Sequence, residues 1–359
     1  MREEIMSEEK MLGQSPGPVH ASRSAGSRSA ALTSEFPSGL NTELTTGGGR
    51  GTLLKWAVIV LVLIVPLFIS NTYYVHLAVM VCLNVVIVSG LFILMRAGQL
   101  SLCHAAFIGV GAYSSVLVSS SLKLPFLAAV VVGVVIAAVL AFVLGSIILR
   151  LRGVYFVLIT FAFGELFRLC LLQMDTFTGG ANGISGIPAA AIFGFVFDSK
   201  KSFYCLASVL AICSLLFLAL VFKLPKGHAF DAVGDNPDLA EASGVSVFRT
   251  QLFAFVIGCI LASLGGAFLA RYVGYISPES FNSQASIAVV IMLVIGGRYS
   301  IVGPLVGALM MTLLPEVLRG AVQMQNILYA VILILMLRFL PQGLAGLLTI
   351  RHRPQRRAS

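Results

Sequence analysis

Charge is scarce in this 359-residue chain, and that scarcity excludes most soluble folds. Charged residues make up 11% of the sequence and apolar residues 58%, with a mean hydropathy of +0.97, whereas soluble domains carry roughly a quarter charged residues. Catalytic signatures are missing too. There is no GxxxxGK(S/T) phosphate loop, since "GGGRGT" at 47–52 lacks the Lys-Ser/Thr ending, and no GxSxG, HExxH or EF-hand pattern occurs. The five histidines are scattered, and the acids Glu165, Asp175 and Glu316 have no constellation around them, so the chain reads as a non-enzyme without an ATPase site or cofactor of its own. Six cysteines (Cys82, Cys103, Cys170, Cys205, Cys213, Cys259) fall within or beside apolar segments and form no CxxC. That excludes a disulfide framework or a cysteine zinc site and leaves small buried hydrophobes.

What remains is an integral membrane protein, all-α and polytopic. Residues 1–50 are rich in Ser, Gly, Thr, Ala and Pro without an apolar period, so they read as a disordered cytoplasmic tail; "MREEIMSEEKML" carries no short apolar run of the kind a cleavable signal needs. Residues 51–350 form the transmembrane domain, and 351–359 a basic cytoplasmic tail. A span needs about 20 apolar residues. The uncharged run from Trp56 to Met95 accommodates two spans turning near "NTYYVH" at 71–76, and further runs lie at 97–122, 125–149, 153–174, 202–222, 250–270, 280–297, 299–318 and 320–340. Ten spans result, or eight to nine if a short run is re-entrant.

The bases sit singly or in pairs at span ends, the pattern of loop charges that set orientation and not of a nucleic-acid surface. The first fifty residues hold five bases and six acids, so the whole positive surplus belongs to the remainder. With both termini inside, fourteen Lys/Arg face the cytosol and five face out, a clear inside excess. The water-loving stretch within 223–249, "KLPKGHAFDAVGDNPDLAEASGVS" from 223 to 246, therefore faces the cytosol. Asn236 suits an N-cap, Pro237 the first helical position, Asp238 the positive helix end and Gly244 a left-handed stop. These signals predict a two-turn helix over 237–243, after a short turn from Gly227 to Val233 that stops at Gly234. Such a helix is unstable alone and needs a surface, although a solvated loop helix has the same signature. Leu239 offers an anchor, Ala240 and Ala242 permit close approach, and Glu241 supplies a charge.

Three polar groupings stand out elsewhere. Glu165 and Arg168 share a helix face and can pair inside the membrane, as a neutralised structural pair or as part of a polar pathway; Glu316 and Arg319 repeat the pattern. Gln99, Ser101 and His104 do not share one face of a regular helix, but would line a path if that segment is unwound. "DTFTGGANGISGIP" at 175–188, with Gly180, Asn182 and Gly183, is a structured external turn that can dock a soluble partner. Small residues at 109–112, 263–267 and Gly303 to Gly307 predict tight helix packing.

In order along residues 55–350, "GQLSLCHAAFIGVGAYSS", "RLRGVYFVLITFAFGELFRL", "TGGANGISGIP", "ISPESF" and "RFLPQGLAGLL" resemble the LivM-type permease subunits of branched-chain amino acid ABC importers. The resemblance implies a multi-pass protein of the bacterial inner membrane, embedded in lipid, that carries leucine, isoleucine or valine. Its implied partners are a second LivH-type permease, two ABC ATPase subunits that use ATP, and a periplasmic substrate-binding protein. It also implies that Ala229, Ala232, Leu239, Ala240, Glu241, Ala242 and Gly244 form the ATPase-coupling loop. Related permeases serve urea and short amides, and an ATP-independent secondary transporter is the remaining alternative class. His228, "VGDNPD" and "GGRYSIVGP" depart from the family pattern.

Overall fold

The structure, a computed structural model, describes Pro66 and residues 71–151, 153–192 and 194–317, together with positions 334, 343 and 344. Apart from Pro66 and position 334, the expected tails, the first half of the 56–95 hairpin, Arg319 and the 320–340 run lie outside the described residues. Ten helices of six residues or more occur within them: α1 Thr72–Arg96, α2 His104–Leu122, α3 Phe126–Ile148, α4 Val154–Gln173, α5 Lys200–Lys223, α6 Pro225–Asp235, α7 Pro237–Ala242, α8 Val247–Val273, α9 Ser283–Gly296 and α10 Gly303–Val317. Two-residue strands pair antiparallel as β1 Ile184–Ser185 with β4 Tyr275–Ile276 and as β2 Ala191–Ile192 with β3 Phe195–Val196.

Six helices, α1 to α5 and α8, are long and apolar enough to cross a membrane. The pair α9 and α10, of 14 and 15 residues, is shorter, at roughly 21 Å per helix. Helices α1, α2 and α8 form the centre: the most apolar part of α1 is 78% buried, while that of α4 is 17% buried and faces outward. Side chains such as Phe92, Phe107, Phe255 and Leu215 fill this core. At the crossing of α8 with α2 the backbones touch. A Cβ on Gly266 would lie 2.0 Å from the Ile108 carbonyl oxygen, and one on Gly111 would lie 1.9 Å from that of Ser263. The two glycine-rich stretches singled out in the sequence are thus the two sides of one contact, where packing replaces the hydrophobic drive that lipid removes.

The 97–122 run does not form one continuous helix. Gly98 adopts φ +77°, and helix resumes only at His104. The His104 Nε2 lies 3.3 Å from the Ile87 carbonyl oxygen, nine residues or roughly 13 Å along α1 from its Arg96 end. The first turn of α2 therefore starts inside the bundle, where unsatisfied N–H groups are costly. Other helices supply acceptors here: Ala105 N–H in the first turn donates to Ser286 Oγ of α9 at 3.0 Å, and Leu102 N–H, just before the helix, to Thr160 Oγ1 of α4 at 3.1 Å. Both hydroxyl residues are buried.

At the C-terminal end of α1, Arg96 joins three elements. Its guanidinium grips both carboxylate oxygens of Asp231 on α6 and donates to the Tyr299 carbonyl at 3.1 Å in the α9–α10 turn. It also lies 4.5 Å from the centre of the Phe222 ring of α5. The Arg96 side chain is 12% exposed and that of Asp231 36%, so the pair is partly desolvated. Gly234 completes the joint, because a Cβ there would meet the Arg96 carbonyl oxygen at 2.1 Å.

Two outcomes follow from this packing. Gly266→Leu forces two backbones apart, costs about 1–3 kcal/mol or more, and is expected to abolish monodisperse protein in gel filtration of detergent extracts. Arg96→Lys keeps the charge but loses the two-pronged grip, weakening the joint by about 1–3 kcal/mol. Hydrogen exchange across 225–243 should then accelerate about tenfold or more, with exchange in α2 and α8 unchanged.

Candidate functional site

The segment between α5 and α8 begins where Leu224 turns extended and ends α5. Pro225, at the first helical position, starts α6 there, because its missing N–H has no intrahelical role to lose. The short turn expected over 227–233 is in fact an 11-residue helix that runs through Gly234 to Asp235. Close contact with the end of α1 outweighs the helix-weakening effect of Gly234. Asn236 then extends (φ −154°) and caps α7, its side-chain oxygen accepting from Leu239 N–H at 3.0 Å. The expected helix over 237–243 is observed as Pro237–Ala242. Gly244 at φ +86° stops it, donating its N–H to the Glu241 carbonyl at 2.9 Å, while Val245 N–H returns to Ala240 at 3.0 Å.

One face of α7 looks inward. Ala240, 4% exposed, packs with Val233 and Val247, so its small side chain serves contact with the chain's own α6 and α8. The other face carries Leu239, 65% exposed, together with exposed Glu241, Ala242 and Gly244; Ala232 on α6 is exposed as well. Ala229 lines a cavity of about 240 Å³ with Phe230, Arg249, Thr250 and Phe253 between α6 and α8. The arrangement presents an apolar side chain and a carboxylate on a short helix whose back is fixed through α6 to Arg96. The sequence reading took Arg96 only as an orientation charge. Its partner lies 135 residues away, a spacing that leaves no local signal.

The polar groups expected to line a path lie at two places, the break before α2 and the face of α4. Gln99, Ser101 and His104 lie at the break before α2, all buried. The Ser101 hydroxyl contacts the Cys103 sulfur at 3.1 Å, and His104 Nδ1 has no hydrogen-bond partner. The segment is unwound, as the pathway reading requires, but the three side chains turn into packed protein. Glu165 and Arg168 do pair, at 2.9 Å, and the structure adds what spacing could not show: Arg168 also binds Glu279 at 2.7 Å, and Glu165 accepts from Ser283 N–H at 3.0 Å. The cluster clamps α4 onto the 278–283 turn and caps α9. Glu316 accepts a hydrogen bond from the Tyr73 hydroxyl at the start of α1.

At the far end of the bundle, Gly180 to Asn182 form a 3-10 turn followed by Gly183 and β1. Pairing of β1 with β4 and a 3.2 Å bond from the Tyr275 hydroxyl to the Asn182 carbonyl fix this turn on the end of α8. Gly180 is buried and Asn182 exposed. Among the described residues no group of three or more His, Cys, Asp or Glu side chains is arranged to hold a metal.

Comparison with known proteins places this geometry in context. The family described as branched-chain amino acid transport system / permease component matches residues 73–340. The high-affinity branched-chain amino acid transport system permease protein LivM of Escherichia coli strain K12 is 29% identical over 312 residues, covering 80% of this chain and 73% of the relative. LivM of Salmonella typhimurium is also 29% identical, over 81% of this chain and 74% of its own. The autoinducer 2 import system permease protein LsrC of Yersinia pestis is 28% identical over a shorter stretch, 39% of this chain and 41% of the relative. No solved structure matches. With the family match spanning most of the chain and the bundle of apolar helices beneath it, this protein belongs to the permease family of branched-chain amino acid transport systems.

Proposed function

We propose that this chain is the translocating subunit of an ATP-driven importer of leucine, isoleucine and valine in a bacterial inner membrane. Its partners in that reading are a second permease, two ATPases that bind and hydrolyse ATP, and a periplasmic binding protein. The α6–α7 end then faces the cytosol and the 180–185 turn the periplasm. The observation that carries the reading is the outer face of α7: Leu239 is held 65% exposed on a capped helix, with its rear fixed to the central bundle. An exposed leucine on a rigid mount is suited to a pocket on a partner.

Motion follows from the same geometry. ATPase states that hold α7 in different positions bias the permease by their difference in binding free energy. Displacement of α7 passes to α6 through Val233 and Ala240, and from α6 to α1, α5 and the α9–α10 turn through the Asp231–Arg96 joint.

Leu239→Asp would place a carboxylate in the partner's apolar pocket, forfeiting about 1.5–3 kcal/mol of burial and adding a desolvation cost. ATPase activity stimulated by loaded binding protein, measured on the purified complex, should fall about tenfold or more. Gly244→Pro, which cannot adopt the positive φ of the α7 stop, should do the same. Normal stimulation in both variants would sink the coupling assignment. For the substrate, labelled leucine uptake into proteoliposomes should require all subunits and ATP and be competed by isoleucine and valine. Competition by urea or acetamide instead would reassign the substrate, and uptake without the ATPases would overturn the ATP-driven reading.

A further inference from the structure

A second feature lies at the far end of the bundle. A cavity of about 510 Å³ opens between the first turns of α1 and α5, the last turn of α8 and residues 187–189 and 197–199, within the range typical of small-molecule sites. Arg271 lines it. This side chain is 5% exposed, donates through Nη1 to the Pro188 carbonyl at 3.0 Å and lies 5.4 Å from the Phe126 ring centre, yet its buried Nε has no hydrogen-bond partner. Among the described residues no carboxylate forms an ion pair with it. A guanidinium stays charged in proteins, and a buried charge left uncompensated costs several kcal/mol. Such a charge favours an anionic partner.

The surroundings share that sign. Lys200, the first residue of α5, lines the same cavity, and the first turn of α5 contains no acid, so its positive helix end adds to the field. His76 and Tyr272 close one side, with imidazole Nδ1 2.7 Å from the phenol oxygen. Among the described residues Asp198 is the one acid in the lining, while Met80, Ile187 and Phe203 make an apolar wall.

We infer that this cavity binds a free zwitterionic amino acid, with its carboxylate on Arg271 and Lys200, its ammonium toward Asp198 and its apolar side chain along Met80, Ile187 and Phe203. A carboxylate matches the planar guanidinium fork. An inorganic anion would use only the cations and leave Asp198 and the apolar wall unmet. The inference rests on the importer reading for its choice of amino acid, and on the cavity alone for its need of a carboxylate. The site adjoins the turn that would meet the binding protein: Ile187 N–H donates to the Gly274 carbonyl at 3.2 Å, just beyond the β1–β4 pair. A ligand released there enters the permease at this cavity.

The test measures binding of labelled leucine to the assembled transporter in nanodiscs without binding protein. Leucine should bind saturably, and leucinol, which lacks the carboxylate, should compete about tenfold less well or worse. Arg271→Gln should weaken leucine binding at least tenfold, Arg271→Lys less, and Lys200→Gln several-fold. If Arg271→Gln fails to assemble, the exposed Lys200→Gln and the leucinol comparison decide. Leucinol competing as well as leucine, or leucine binding unaffected by Lys200→Gln and by any assembled Arg271 variant, would overturn the site. A phospholipid seen by native mass spectrometry on the wild-type complex and lost with Arg271→Gln or Lys200→Gln, with no leucine binding, would assign the cavity to a headgroup and also overturn it. Uptake separates the two readings. Normal leucine import with unchanged concentration dependence in the variants removes the site and leaves the importer. A wild-type complex that imports no leucine removes the importer, and the carboxylate site then stands or falls on leucine against leucinol.

Discussion

Inside a bilayer no water is available to a free N–H, and the central architecture depends on how the chain meets that constraint at one place. The first turn of α2 begins in the interior, where Ser286 of α9 accepts from Ala105 N–H and Thr160 of α4 accepts from Leu102 N–H just ahead of the helix. Those two bonds make the break at 97–103 tolerable, and they also set where α4 and α9 stand. With α2 placed, its glycine face meets α8 at backbone contact, and α8 in turn reaches from the α7 loop to the Arg271 cavity. One helix start thus governs the position of elements far apart in sequence.

The two ends of the bundle use charge in opposite ways. At the loop end Arg96 is fully engaged, by Asp231, by the Tyr299 carbonyl and by aromatic rings, so its charge is spent on holding elements together. At the far end Arg271 is more deeply buried but only partly engaged. The first arrangement builds a joint, the second leaves a buried donor unpaired. Both are arginines at helix ends, and only their partners distinguish them.

That distinction also marks what could be read from the sequence. Composition and uncharged runs identify a helical membrane protein because bilayer thickness fixes span length, and the Asn236-Pro237 and Gly244 signals locate α7 to within a residue because capping is local. Quoted motifs carry the family. The α6 boundary was missed because Gly234 is a helix breaker by propensity and a contact by position, and only the second can be seen in three dimensions. Likewise Glu165 and Arg168 could be paired from their spacing, but Glu279 and Ser283 arrive from more than 100 residues away. The break before His104 was open to either reading, since Gly98 and the following polar residues fit both a small-residue helix and an unwound segment.

The two faces of α7 have separate duties. Ala240 is committed inward to Val233 and Val247, whereas Leu239, Glu241 and Ala242 point away. Side chains on the outer face can therefore diverge without disturbing the joint behind them, and a change at the joint need not alter what the outer face presents. Such a loop is interchangeable by construction: three or four exposed positions can be rewritten while the inner contacts of Ala240 stay intact.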